Sequence, residues 1–339
     1  MLTIGVGSDL WAGITCHLMS ERQQWHPVLA AQALGTAPVA VRLLATDLVL
    51  WRDGTGAARA FDDRCPHRGT RLSLGRLQEG RLECPYHGWQ FEGTGRCVHV
   101  PAEPAFQPSA SQSACSRSVE EKHAMLWVCL DDASSPAASP PDVFQLPPRR
   151  LVCGPYDVHT SAPRVVENFL DTAHFPFVHP SSLGDRAHTQ VPPYEVQPDP
   201  QGRPGVASYR AWQPQSSATA AQGGWVDYRY QVLGPYSAVL EKKPAADLLR
   251  EVYALWVCPM EAQASRVWFT LWTSEGTLSD DALRNFQDAV FLQDRAVLES
   301  QQPRELPLDS REAPGPADRL SAAYRRYLRQ QGITFGVCG

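Results

Sequence analysis

Two stretches decide how this chain reads: Cys65-Pro66-His67-Arg68-Gly69 and, with sixteen residues between His67 and it, Cys84-Pro85-Tyr86-His87-Gly88-Trp89-Gln90-Phe91. Each offers one thiol and one imidazole on a short loop that carries a glycine. Two cysteines can hold one iron of a [2Fe–2S] cluster and two histidines the other, which lifts the reduction potential above that of an all-cysteine cluster. A tetrahedral zinc ion takes the same four ligands. Zinc loops, however, usually pair cysteine with cysteine. Here both loops carry one ligand of each kind, like two matching fingers, and that favours the cluster.

Working outward, the 339 residues are 43% hydrophobic, enough to bury two ordinary cores. A formal net charge of -5, with no basic run interleaved with aromatics, argues against nucleic-acid binding. No apolar stretch approaches the roughly 20 residues that cross a bilayer. The nine cysteines are an odd number. Beyond Cys65 and Cys84, the remaining Cys16, Cys97, Cys115, Cys129, Cys153, Cys258 and Cys338 lack framework spacing, so reduced buried thiols are expected. Residues 1–18 lack the features of a secretory signal, and a cytoplasmic location is expected. Met19-Ser20-Glu21-Arg22 looks more like a translation start than what precedes it, which makes residues 1–18 a disordered extension or a mis-assigned start.

Short β-rich runs such as Val39-Ala40-Val41-Arg42-Leu43-Leu44 and Met125-Leu126-Trp127-Val128, punctuated by Asp53-Gly54, predict an all-β domain over 22–132 after an extension at 1–21. The cluster loops are expected at the tips of two hairpins. A Pro/Ser/Ala-rich linker over 133–148 can propagate neither helix nor central strand, and a second domain follows over 149–339. There, strands are read near 228–233, 251–258 and 266–273. Helices follow from the Ser279 cap to about Ser300 and from near Asp318 to Gln331.

The second constellation is Glu167-Asn168-Phe169-Leu170-Asp171-Thr172-Ala173-His174-Phe175-Pro176-Phe177-Val178-His179. Ser161 and Pro163 are expected to open a helix and Pro176 to end it. Asp171 and His174 would then share a face, with His179 returning beyond the break. Two histidines plus one carboxylate describe the facial triad of non-haem Fe(II) oxygenases. A His-x-x-x-x-His pair alone is more readily read as two histidines capping a helix end. Beside an electron-storing cluster it gains meaning, because the two centres make a circuit. The long helix offers Asp288 and Asp294 as the carboxylate. Asp294 is preferred, with Gln287 and Phe291 on its face looking into the site, although the helical wheel leaves Asp288 open.

Together the two motif sets resemble the catalytic oxygenase subunit of Rieske non-haem iron oxygenases over about residues 22–332. The family's Cys-x-His and Cys-x-x-His fall on Cys65, His67, Cys84 and His87. Its Asp-x-x-His-x-x-x-x-His falls on Asp171, His174 and His179, and its late carboxylate on Asp294. Trp25-His26-Pro27-Val28, Leu72-Ser73-Leu74-Gly75 and Glu299-Ser300-Gln301-Gln302-Pro303 are similar to the branch of vanillate and dicamba O-demethylases and methylxanthine N-demethylases.

The resemblance implies an α+β chain with an N-terminal all-β Rieske domain and a C-terminal helix-grip (START-like) catalytic domain built on an antiparallel sheet. It also implies a [2Fe–2S] cluster, a mononuclear Fe(II) and a homotrimer in which one subunit's cluster faces the next subunit's iron. Electrons are expected from NAD(P)H through a separate flavin/iron–sulfur reductase or ferredoxin, because no flavin or dinucleotide glycine motif lies in this chain.

The expected reaction uses O2 to hydroxylate a C–H bond of a small aromatic or heteroaromatic compound. N- or O-demethylation with release of formaldehyde is favoured over ring or alkyl hydroxylation. Asp171 is expected to accept hydrogen bonds from a cluster histidine of one chain and from His174 of the next. Asn168 is read as a pocket or supporting amide, and Gln287 and Phe291 suit a planar substrate with polar edges. Trp89 and Phe91 are expected to pack the cluster loop. An electron carrier would need only the first domain, and a zinc-built binding module would need neither Asp171 nor Asp294.

Overall fold

The structure is a computed structural model that describes residues 20–133, 135–215, 222–244 and 249–339. The expected extension over 1–18 lies outside these residues. Glu21, placed in the extension on sequence, is buried and accepts the backbone N–H groups of Thr334 and Phe335 at 2.6 and 2.7 Å.

The N-terminal part is all β. Strands Val39–Leu43, Thr46–Arg52, Ala58–Asp62, Ser116–Lys122, Met125–Cys129 and His26–Ala30 lie in that order in a six-stranded sheet. A four-stranded sheet of Arg76–Gln78, Arg81–Glu83, Gln90–Phe91 and Cys97–His99 carries the second cluster loop at a hairpin tip. The first cluster loop departs from expectation. It leaves Ala58–Asp62 of the large sheet and reaches Arg76–Gln78 of the small one through a 3-10 turn, Leu72–Leu74, so it bridges two sheets rather than capping a hairpin.

The C-terminal part is built on a seven-stranded antiparallel sheet in the order Arg149–Val158, Ala264–Thr273, Glu251–Glu261, Ser237–Pro244, Gly224–Gly234, Pro204–Gln213 and Gln197–Pro198. The three strands read from sequence lie within it, and their apolar runs have a physical cause: the sheet is covered on both faces. Tyr253, Leu255 and Val257 face the helices. Their neighbours Val252, Ala254 and Trp256 pack with Val28, Leu29 and Trp127 of the N-terminal sheet. Trp127 and Trp256 meet edge to face at 5.1 Å. Of the Pro-rich segment, Phe144 is fully buried in this shared core. The cysteines among the described residues are all free thiols.

Among the described residues, four helices cover the other face. The first, α1 (Ala162–Leu170), ends five residues earlier than the sequence reading placed it. Asp171 turns to extended backbone, and its Oδ1 accepts the Ala173 N–H at 2.7 Å, a local bond that competes with helix continuation. Asp171 and His174 therefore lie on the connection after the helix. Pro176 sits in the first turn of a short helix, α2 (Phe175–Val178), where its missing N–H has no helical acceptor to lose. The long helix α3 (Asp280–Ser300) is capped by Ser279 Oγ, which accepts the Ala282 N–H, and buries the stripe Leu283, Gln287, Phe291, Asp294 and Leu298. The last, α4 (Arg319–Gln330), buries Leu320, Tyr324, Tyr327 and Leu328 before Gly332 takes positive φ.

His26 ties the start of the chain to the core, its Nε2–H donating to the Glu21 carbonyl at 2.8 Å. Burial pulls its pKa from 6.5 down to about 4, against the opposing hydrogen bond to Glu21. Between those values the unfolded chain binds a proton that the folded chain does not, so stability is lost as pH falls through this window. Urea unfolding at pH 7.5 and at pH 5 is expected to show a His26 contribution of about 2 kcal/mol, which His26→Gln removes.

Candidate metal centres and cavity

The two cluster loops are local copies of one another. Cys65 N–H bonds Thr70 O at 2.8 Å and Gly69 N–H bonds Cys65 O at 2.8 Å. In the second loop Cys84 N–H bonds Trp89 O at 2.8 Å and Gly88 N–H bonds Cys84 O at 3.0 Å. Both glycines sit near φ 70°, a conformation that side chains disfavour. The loops bury Cys65 and Cys84 side by side and leave His67 and His87 exposed, with ring centroids 4.7 Å apart. Thiols and imidazoles thus separate into an inner and an outer pair, which fits one iron for each pair of a two-iron cluster. Trp89 stacks flat on His67 at 4.5 Å, and Phe91 is buried in the same small core as both cysteines. Both aromatics pack the cluster loops as read from sequence.

The second centre gathers His174, His179 and Asp294, with ligand atoms within 4.8 Å of one another. His174 Nε2 lies 3.4 Å and His179 Nε2 3.0 Å from Asp294 Oδ1. Each ring is fixed from behind: His174 Nδ1 by Asp171 Oδ2 at 3.2 Å, and His179 Nδ1 by Gln293 Oε1 at 2.8 Å. With Nδ1–H donated to these oxygens, both Nε2 lone pairs point to the shared site. Burial opposes charge on Asp294, yet its bonds to the two imidazoles hold its pKa down at about 2. Burial likewise opposes charge on His174, but Asp171 and then Asp294 raise its pKa to about 9. A buried carboxylate that demands a positive partner, with two imidazoles turned to it, fits a divalent cation that displaces the His174 proton.

Asp288, the carboxylate left open on sequence, is excluded from this cluster. Six residues of helix, roughly 600° of rotation, carry it to another face, where its Oδ1 accepts the Tyr156 hydroxyl at 2.5 Å. Asn168 Nδ2 reaches Asp294 Oδ1 at 3.4 Å. Sequence reading missed Gln293. It is the residue before Asp294 and half-turned away from it, so helical periodicity gave no signal for it.

A cavity of about 90 Å³ opens beside the triad. Its wall includes Asn168, Gln287 and Phe291, as expected, with Phe169, Phe175, Tyr228, Tyr253 and Phe269 from helix and sheet. Phe291 touches Tyr156 and Phe269 with ring centroids at 4.6 and 5.4 Å, so it is both wall and packing residue. Lys242, a buried amine, also lines the cavity and carried no sequence signal.

A mixed-ligand cluster domain joined to a buried His/His/Asp centre under an aromatic cavity defines a two-centre iron oxygenase. Residues 24–114 match the Rieske [2Fe-2S] domain family, and residues 158–332 match the vanillate O-demethylase oxygenase C-terminal domain family. The chain is 32% identical to methylxanthine N1-demethylase NdmA of Pseudomonas putida, covering 91% of this chain and 88% of that one. It is 30% identical to methylxanthine N3-demethylase NdmB of the same organism, covering 92% and 90%. The solved structure of NdmA from Pseudomonas putida CBB5 with caffeine superposes with a TM-score of 0.80 at 29% identity, covering 92% of this chain and 91% of that one. The chain belongs to the Rieske non-haem iron oxygenases, as a catalytic oxygenase subunit. No helix among the described residues is long and apolar enough to cross a membrane.

Gln293→Leu removes the anchor of His179 while leaving all three metal-facing groups in place. Iron retained after dialysis against a graded chelator is expected to reveal a 10–100-fold weaker mononuclear site, with the cluster's visible spectrum unchanged.

Proposed function

We propose that this chain is the oxygenase component of an oxidative N- or O-demethylase for a small aromatic or heteroaromatic compound, acting with O2 and a separate NAD(P)H-linked reductase or ferredoxin. The observation that carries this reading is the aromatic-walled cavity lying directly against His174, His179 and Asp294. It supports a flat substrate held edge-on to the metal-facing groups, with Asn168 and Gln287 as amide partners for its polar edge. The relatives named as methylxanthine demethylases, and the family match to a vanillate O-demethylase domain, favour a methyl group as the carbon attacked.

In this reading Cys65, His67, Cys84 and His87 hold the cluster and His174, His179 and Asp294 hold the iron, which when bound supplies O2 activation. The protein's own part is positioning. Asp171 and Gln293 fix the imidazoles, Asp294 completes the triad, and Phe169, Phe269 and Phe291 keep water from the reacting carbon. Hydroxylation of an N- or O-methyl group consumes O2, two electrons and two protons, and releases water. The hydroxymethyl product then splits into formaldehyde and the free amine or hydroxyl.

Exposed His67 and His87 and half-exposed Asp171 support an arrangement in which a neighbouring subunit's cluster docks beside Asp171, as in a head-to-tail trimer. The division into a cluster domain over 22–132, a linker over 133–148 and a catalytic domain over 149–339 is proposed on the same basis.

NADH-driven turnover with a Rieske-type reductase, over a panel of N-methyl and O-methyl heteroaromatics, is expected to give formaldehyde equimolar with substrate lost. Hydroxylated product without formaldehyde would overturn demethylation. Asp171→Asn is expected to lower coupled turnover 10–100-fold, with iron content and KM unchanged.

A further inference from the structure

Lys242 is 3% exposed, and its side chain lines the cavity beside the triad. It projects from strand Ser237–Pro244 on the face shared with Ala238 and Leu240, towards the helices. Its strand neighbours on the opposite face are matched with one another: Lys243 pairs with Glu241 at 3.2 Å, and Arg250 binds Glu241 as well. Lys242 makes no hydrogen bond or ion pair among the described residues.

Across the sheet, Lys242 registers with Tyr228 on one side and Glu251 on the other. Glu251 is 2% exposed. Its Oε2 has no hydrogen-bond partner among the described residues. Glu251 does not line the cavity; it lies beside Lys242 on the neighbouring strand.

An ammonium is costly to bury, and a methionine of similar length would fill the same space without that cost. The Tyr228 oxygen accepts from Gln213 Nε2 at 2.5 Å and keeps its own proton, so Lys242 and the Tyr228 hydroxyl are neighbouring donors on this wall of the cavity. Burial lowers the Lys242 pKa and raises that of Glu251, each against the pull of the other. Whether the proton sits on the amine or the acid, the pair carries no net charge. An unpaired donor beside a compensating carboxylate suits a neutral acceptor better than a full anion.

We propose that Lys242 is a specificity-determining residue whose Nζ donates to a ring carbonyl oxygen of the substrate, and that Glu251 sets the preference for a neutral oxo-substituted heteroaromatic over an aromatic carboxylate. This rests on the demethylase reading but is tested separately from it, because binding is measured without turnover.

Calorimetric titration of the anaerobic holoenzyme uses three probes: caffeine, which has ring carbonyls; an N-methylpurine without them; and para-methoxybenzoate. Caffeine is expected to bind most tightly. Lys242→Met is expected to weaken caffeine about 10–100-fold, with the N-methylpurine unchanged. The double variant Lys242→Met/Glu251→Gln, which leaves no buried charge uncompensated, is expected to show the same loss. Glu251→Gln alone is expected to shift preference towards para-methoxybenzoate. Unchanged caffeine affinity in both Lys242 variants, tighter binding of para-methoxybenzoate by the wild type, or failure of all three probes to bind would overturn the proposal. Turnover of a bound probe without formaldehyde would instead overturn the demethylase reading and leave the Lys242 result standing.

Discussion

One buried carboxylate facing two imidazoles is the constraint on which the rest of this structure depends. Asp294 could not sit at the bottom of an aromatic cavity as an isolated anion, since the desolvation cost would protonate it. It stays ionised because His174 and His179 are turned towards it, and they are turned because Asp171 and Gln293 hold their other nitrogens. Two segments distant in sequence, 171–179 and mid-α3, must therefore converge within a few ångströms. The break after α1 supplies Asp171 and His174, the end of α2 supplies His179, and mid-α3 supplies Asp294.

Rigidity for that convergence comes from the seven-stranded sheet. Because the sheet is buried on both faces, neither the helices above it nor the N-terminal sheet below it can slide without opening a core. The same strands that form the cavity floor with Tyr253 and Leu255 clamp the cluster-bearing part through Trp256. The two centres thus share a scaffold, while the cluster histidines face outward and the triad faces inward. Such an arrangement suits electrons arriving from outside the subunit and oxidation proceeding in a dry interior.

Much of this was legible in the sequence where a residue type is rare and its spacing short. Both cluster fingers and the His174/His179 pair were readable in this way, as was the class of fold. Family resemblance supplied what spacing left open, above all the choice of Asp294 over Asp288. The path of the chain between Asp171 and Pro176 was misread, because a proline in a helix's first turn looks the same in sequence as one that ends a helix. The first cluster loop was misplaced on a hairpin because its two flanking strands belong to different sheets, a long-range fact. Gln293, Lys242 and Glu251 were invisible for a similar reason. Their roles depend on partners across strands or helices, and a strand lysine is ordinarily a surface residue.

Two separate metal centres in one chain are the central feature to test. Iron and acid-labile sulfide should be counted in the purified protein and in Asp294→Ala, with Mössbauer spectra of both. The wild type is expected to hold about three irons and about two sulfides per chain, falling to about two irons with the cluster signal intact in the variant. An unchanged iron count in Asp294→Ala, or zinc in place of the cluster iron, would contradict that expectation.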